Sequence, residues 1–206
     1  MTNGIDVYYD FRSPYAYFLA HRLRQRQFEA PVPVGWNWRP ISIDVLLNLQ
    51  AGRAVLTPYV DPLSAPKRRH LVADVRRCAE MYGAPLKPPR PTRPNSQLAL
   101  CVSLLLRKQG VDDDPFRNAA FIALWENQRD IADPIVLKEC LGATDAEFII
   151  AEASSLETHT ELISETQRAY EFGVFGVPSF VLGDEVFFGN DRLDMVGWRL
   201  RKMSNS

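Results

Sequence analysis

A short β-prone run, Ile5 to Tyr9, stops at a polar turn, and Ser13 and Pro14 then open a long helix-compatible segment. No other feature constrains the chain as strongly. Serine is a favoured helix N-cap, and proline belongs at the first helical position, where its missing N–H is no loss. A strand that turns directly into a helix N-terminus leaves free N–H groups and the positive end of the helix dipole facing outward. Any anion placed there is favoured, a thiolate included.

The elements that follow show what this corner is built into. Ile5–Tyr9 is apolar on both faces apart from Asp6, which predicts a central strand. A helix is expected from Pro14 to about Phe28, with Ala16, Leu19, Ala20 and Leu23 on one stripe, and a second strand from Val32 to Trp38. Strand, helix and strand over so short a span make a right-handed βαβ unit with parallel strands. A short helix from Asp44 to Gln50 ends at Gly52, and residues 53–66 read as a loop. Leu71, Val75, Cys78, Ala79 and Tyr82 then mark a helix stopped by Gly83. The proline-rich stretch from Lys87 to Pro94 must be an irregular connector.

Further helices are expected over Leu98–Leu105, closed by Gly110, and from Phe116 to about Gln128, buried on most faces. Asp133-Pro134 signals another start, and Thr144 with Glu147 and Ser154 with Glu157 fit the capping box. The last of these helices runs to about Phe172 and stops at Gly173. Ser179–Leu182 and Glu185–Phe188 flank Gly183-Asp184 as a two-residue hairpin. Asn190-Asp191 precede a final helix through Leu200. Neither flank of the chain can bury a core alone, so the two must join into one four-stranded mixed sheet. Residues 1–50 and 173–206 then form one discontinuous domain, with residues 51–172 as a helical insertion.

Composition excludes several functions. A formal net charge of -1 over 206 residues argues against nucleic acid as a partner. No apolar run approaches the ~18–20 residues of a membrane span, and no leader pattern precedes the first strand. Cys78, Cys101 and Cys140 are widely spaced and match neither CxxC nor a zinc site, so they are expected to be buried structural thiols in a reducing cytoplasm. His21, His70 and His159 show no triad or metal spacing, and no metal is expected. Trp36, Trp38, Trp125 and Trp198 are expected in the core, with Trp38 also a candidate wall of a substrate pocket. Residues 64–94 carry eight Lys and Arg against Asp74 and Glu80, which solvated helix faces explain, and a basic rim attracting a carboxylate is the second reading.

The order βαβ, helices, ββα is the thioredoxin arrangement, in which the reactive group opens the first helix and a proline opening the hairpin faces it. Here those places hold Ser13 and Val177-Pro178. With both in view the chain resembles the 2-hydroxychromene-2-carboxylate isomerases and their relatives, the kappa-class glutathione transferases. The resemblance is carried by Tyr9 to Tyr15, by Gly173 to Pro178 and by Phe188 to Leu193, and Lys67–Tyr82 and Pro88–Pro94 also look like the family's helical insert.

The resemblance implies glutathione as cofactor, a cytoplasmic homodimer, and a small aromatic carboxylate or electrophile as substrate. It makes Ser13 the catalytic serine whose hydroxyl meets the sulfur, with Pro14 and Tyr15 beside it. Val177, before a proline expected to be cis, would pair its backbone with the cysteinyl unit as an added strand does. Asn190 and Asp191 would hold the γ-glutamyl end. Where the kappa enzymes carry an asparagine after glycine, this chain has Arg53, which would either grip a carboxylate or lie solvated in its loop. Arg12 is the other candidate for an acidic substrate, against an ordinary exposed charge.

Three functions follow. One is a glutathione-dependent cis–trans isomerase of aromatic catabolism, in which a thiolate adds reversibly to an unsaturated carbon. Another is a kappa-like glutathione transferase or peroxidase. The last is a non-catalytic thioredoxin-like binding module. A dithiol oxidoreductase is disfavoured because the chain has no CxxC.

Overall fold

In the computed structural model, which describes residues 4–58, 60 and 63–204, the strand that leads to Ser13 lies in the middle of the sheet. β1 (Gly4–Tyr9) is flanked by β2 (Gly35–Pro40), parallel to it, and β3 (Ser179–Leu182), antiparallel, and β4 (Glu185–Phe188) completes the order β2-β1-β3-β4. α1 (Pro14–Arg24) makes the crossover between β1 and β2. This is the expected four-stranded mixed sheet of the thioredoxin-like fold. Gly183 takes φ 64° in the two-residue turn between β3 and β4, a value glycine reaches without strain.

α2 (Ile43–Gln50) follows β2. The helical run then comprises α3 (Ala65–Tyr82), α4 (Gln97–Lys108), α5 (Asp114–Trp125), α6 (Pro134–Leu141), α7 (Ala146–Ala153) and α8 (Leu156–Phe172). After the hairpin, a 3-10 turn at Asn190–Arg192 leads into α9 (Leu193–Ser204).

Strand alternation divides the packing between two faces. Ile5, Val7 and Tyr9 of β1 and Phe180 and Leu182 of β3 share one core with α1, α4, α5 and α9. Tyr8 and Val181 point the other way, into a smaller core with Ile41, Leu46 of α2 and Ala169 of α8. The larger core runs without a break from the sheet into the helical insert: Tyr9, Phe11 and Phe121 pack with ring centroids 4.9–6.0 Å apart. Each such fully buried aromatic contributes about 1.5–3 kcal/mol, so the insert and the sheet stabilise each other.

Several boundaries differ from the sequence reading, each for a local reason. α1 ends at Arg24, short of Phe28, because Arg26 turns left-handed at φ 52°. Phe28 then packs edge-on to Trp36. β2 starts at Gly35, later than Val32, and runs on to Pro40. α7 is preceded by Asp145 without a side-chain cap, so Thr144 forms no capping box. At α8 the cap is Ser155, whose Oγ accepts from Thr158 N, while Ser154 Oγ donates back to Ile150 O. Trp198 is 51% exposed on α9, not in the core. Part of the expected 53–66 loop, residues 59, 61 and 62, lies outside the described residues, and α3 already starts at Ala65.

Candidate functional site

Ser13 is the N-cap of α1, with its backbone extended (φ -80°, ψ 115°) and its Oγ accepting from Ala16 N at 3.2 Å. The same hydroxyl donates to Val177 O at 3.1 Å. Residues 164 positions apart therefore meet in one buried hydrogen bond. The Val177-Pro178 bond is cis. Pro178 O accepts from Gly189 N at 2.9 Å, which ties this loop to the start of the 3-10 turn carrying Asn190 and Asp191. Gly189 has φ 110°, a left-handed value that favours glycine.

Asn190 is 3% exposed, and its Oδ1 is buried with no partner among the described residues. Such an atom is costly unless something supplies a donor. Asp191, two-thirds exposed, stands beside it. Ser13 and Pro14 thus meet the Val177-Pro178 loop, that loop is tied to the turn carrying Asn190 and Asp191, and Arg22 near the other end of α1 reaches Asn190 O. Tyr15 is on the same helix turn and donates to Asp74 Oδ2 of α3 at 2.7 Å. Burial and the neighbouring Asp74 carboxylate push the Tyr15 phenol up. The phenol therefore stays protonated as the donor that draws α3 over the first turn of α1.

The remaining candidates, Arg12, Arg53 and Trp38, are engaged with other partners or buried. Arg12 gives its guanidinium fork to Asp44, at 2.9 and 2.6 Å, in a bidentate pair at the start of α2. Arg53 follows the end of α2, and its Nε is buried with no hydrogen-bond partner among the described residues. Trp38 is 5% exposed, inside the core, with Arg117 stacked at 4.3 Å and Tyr9 edge-on at 5.4 Å. Cys101 is buried, whereas Cys78 and Cys140 are half-buried, and all three are free. Burial pushes the Cys101 thiol up to about 12 and the Cys140 thiol to about 11, and it raises that of Cys78 as well, beside Asp74. Such thiols are poor nucleophiles near neutral pH.

Three residues with a role here went unnoticed in the sequence. Asp10 is 1% exposed and accepts from Arg12 N, Ser96 Oγ and Ile43 N. Its place two residues before a backbone N–H in a turn was a readable Asx-turn signal. Arg22 donates to Asn190 O at 2.9 Å and lies 4.7 Å over the Tyr82 ring, a link across 168 positions that no local pattern announces. Trp125 Nε1 donates to Phe11 O at 2.8 Å, pinning the turn before Ser13.

What this corner can do chemically is narrow. It offers a hydroxyl donor and a helix N-terminus to one anion, a backbone edge at Val177, and an acceptor pair at Asn190 and Asp191 for a cation. Among the described residues, the grouping of acidic or metal-binding side chains is Asp112, Asp113 and Asp114, away from these site residues on the turn leading into α5.

Comparison with known proteins identifies the family and the fold. A DsbA-like thioredoxin domain matches residues 4–201. The 2-hydroxychromene-2-carboxylate isomerase of Pseudomonas sp. (strain C18) is 31% identical over 93% of this chain and 87% of its own length. The enzyme of that name from Sphingobium xenophagum is 29% identical over 95% and 97%. A solved 2-hydroxychromene-2-carboxylate isomerase superposes with TM-score 0.76 at 25% identity, covering 98% of this chain and 96% of that one.

Proposed function

The chain belongs to the DsbA-like thioredoxin-domain family and, within it, to the 2-hydroxychromene-2-carboxylate isomerases, and from that membership we propose that it is a glutathione-dependent cis–trans isomerase of an unsaturated aromatic carboxylate. The observation that carries the reading is the 3.1 Å contact between Ser13 Oγ and Val177 O. It joins the helix end that favours a thiolate to the backbone edge on which a cysteinyl unit can dock.

The residues present fit glutathione on several counts. Asn190 Oδ1 is a buried acceptor without a donor, and with Asp191 it suits the γ-glutamyl ammonium. Val177, held next to Ser13, suits β-type pairing with the tripeptide backbone. Glutathione, when bound, supplies a thiolate that adds reversibly to an unsaturated carbon, so that the double bond turns while single, and the thiol is regenerated.

Ser13 has one hydroxyl hydrogen, now directed at Val177 O, and rotation about its Cβ–Oγ bond redirects it to a sulfur at the helix end. A free thiol of pKa ~8.5 is lowered to about 7 or less in such a setting. Each unit is worth about 1.4 kcal/mol, so one charge-assisted hydrogen bond plus the dipole is sufficient. No redox cysteine is needed, which accounts for serine at a position where dithiol enzymes carry cysteine. Ser13 is 5% exposed, which limits the water that can compete for the hydroxyl.

The test is turnover of 2-hydroxychromene-2-carboxylate with and without glutathione, alongside conjugation of chlorodinitrobenzene. Isomerisation that requires glutathione is expected. Conjugation without isomerisation would make the chain a kappa-like transferase, and absence of glutathione binding by calorimetry would leave a binding module.

A further inference from the structure

The turn that delivers Ser13 is held at each of its four residues by a different part of the chain. Ser13 Oγ meets Val177, Arg12 pairs with Asp44 of α2, Phe11 O accepts from Trp125 of α5, and Asp10 takes the hydroxyl of Ser96. Two of the four holders, Trp125 and Ser96, belong to the helical insert.

Ser96 is the unusual one. It immediately precedes α4, where a serine ordinarily accepts from an N–H of the first helical turn. Here it makes no such cap bond, and Gln97 N is served by Asn95 Oδ1 at 2.9 Å. Ser96, 4% exposed, instead donates to Asp10 Oδ1 at 2.7 Å. The same Oδ1 accepts from Arg12 N at 2.9 Å, and Oδ2 accepts from Ile43 N at 2.9 Å. The backbone carbonyl of Asp10 in turn accepts from Ser13 N at 3.0 Å. One buried side chain therefore ties the turn before Ser13, the start of α2 and the residue that opens α4.

We propose that Asp10 is a positioning residue for Ser13, and that the helical insert acts on the reaction through the Ser96–Asp10 hydrogen bond. This rests on the glutathione reading above. A hydroxyl stabilises a thiolate only along a narrow range of directions, and a fully satisfied buried network is what fixes such a direction. Removing the Ser96 donor leaves a buried acceptor short of a partner beside the turn, and the turn relaxes toward other donors. Ser13 Oγ then loses its alignment with the sulfur, while the Val177, Asn190 and Asp191 contacts that bind the rest of glutathione stay in place.

The decisive comparison is Ser96→Ala against Ser96→Thr, read by the pKa of the bound glutathione thiol from thiolate ultraviolet absorbance and by kcat and KM. Ser96→Ala is expected to raise that pKa by about half a unit to one unit. It should lower kcat about tenfold with KM for glutathione little changed. Ser96→Thr, which keeps a hydroxyl, restores both. An unchanged thiol pKa and kcat in Ser96→Ala would overturn the proposal, as would a rise in KM alone.

Ser13→Cys, with and without Ser96→Ala, repeats the measurement without glutathione, since the cysteine's own pKa reports on the same helix end. A higher cysteine pKa in the double variant is expected, and equal values would overturn the proposal. If the cysteine responds but the wild-type protein lowers no glutathione thiol, the glutathione reading fails and the positioning role stands. Should Ser96→Ala not fold, Ser96→Cys, with its weaker donor, is expected to shift both readouts in the same direction by less, and wild-type values there would likewise overturn the proposal.

Discussion

Two buried polar clusters, one around Asp10 between Tyr9 and Phe11 in the chain and one around Arg117, 5.9 Å over the Tyr9 ring, are built in opposite ways. Around Asp10 and Ser13, the polar side-chain atoms find donors or acceptors at 2.7–3.2 Å. Around Arg117, which is 2% exposed, the guanidinium pairs with Asp113 at 2.8 Å, yet Arg117 Nε and Asp113 Oδ2 have no partner among the described residues. Burial pushes the Asp113 carboxyl up even though Arg117 stands beside it. Burying charge is therefore not the mark of the reactive corner. Its mark is a satisfied hydrogen-bond network around Asp10 and Ser13, at a helix N-terminus that faces a second loop. The Arg117 cluster stacks on Trp38 and joins α5 to the sheet, and its role is to hold the insert in place.

Substitutions should separate the two clusters. The largest effect is expected on stability. Arg117→Ala strands Asp113 in the core and should cost about 3–5 kcal/mol in denaturant unfolding. The kcat of the molecules that remain folded should be unchanged, and a parallel loss of kcat would merge the clusters into one site. Ser13→Ala should show the reverse pattern. It removes the proposed donor to the thiolate, so kcat/KM should fall about 10²- to 10³-fold. Losing a helix cap should cost only about 1 kcal/mol of stability.

Smaller effects sharpen the contrast within the corner itself. Arg22→Gln removes the charged donor to Asn190 O, and glutathione binding measured by calorimetry should weaken about five- to tenfold with kcat preserved. The smallest effect concerns His21, 4% exposed on α1, whose pKa is lowered by burial and by nearby Arg24. The folded protein keeps this ring neutral, whereas the unfolded chain protonates it below about pH 6.5. Stability from this group is thus present above that pH and is lost as pH falls toward the folded value. In His21→Gln, the slope of stability against pH between about pH 7 and 5 should flatten.

How much of this was legible in the sequence follows from how local each signal is. The strand, the Ser13-Pro14 start, the hairpin around Gly183 and the stop at Gly83 are short-range patterns, and all appear in the structure. The pairing of Ser13 with Val177 was legible only by joining two motifs at opposite ends of the chain. Local rules failed where tertiary contacts outbid them. Thr144 leaves its expected capping role unfilled, Ser96 gives its hydroxyl to Asp10 in place of a cap, and α1 stops early to let Phe28 reach Trp36. Arg22 and Trp125 act on backbone carbonyls more than a hundred positions away, which no periodicity records. The sheet could be read from spacing, and the long-range links from Ser96, Trp125 and Arg22 could not.

Crystals of the protein soaked with glutathione test the central claim most directly. The account predicts the sulfur within hydrogen-bond distance of Ser13 Oγ, with the cysteinyl backbone alongside Val177 and the γ-glutamyl end at Asn190 and Asp191. A sulfur lying away from Ser13, with the tripeptide docked elsewhere on the surface, would contradict it.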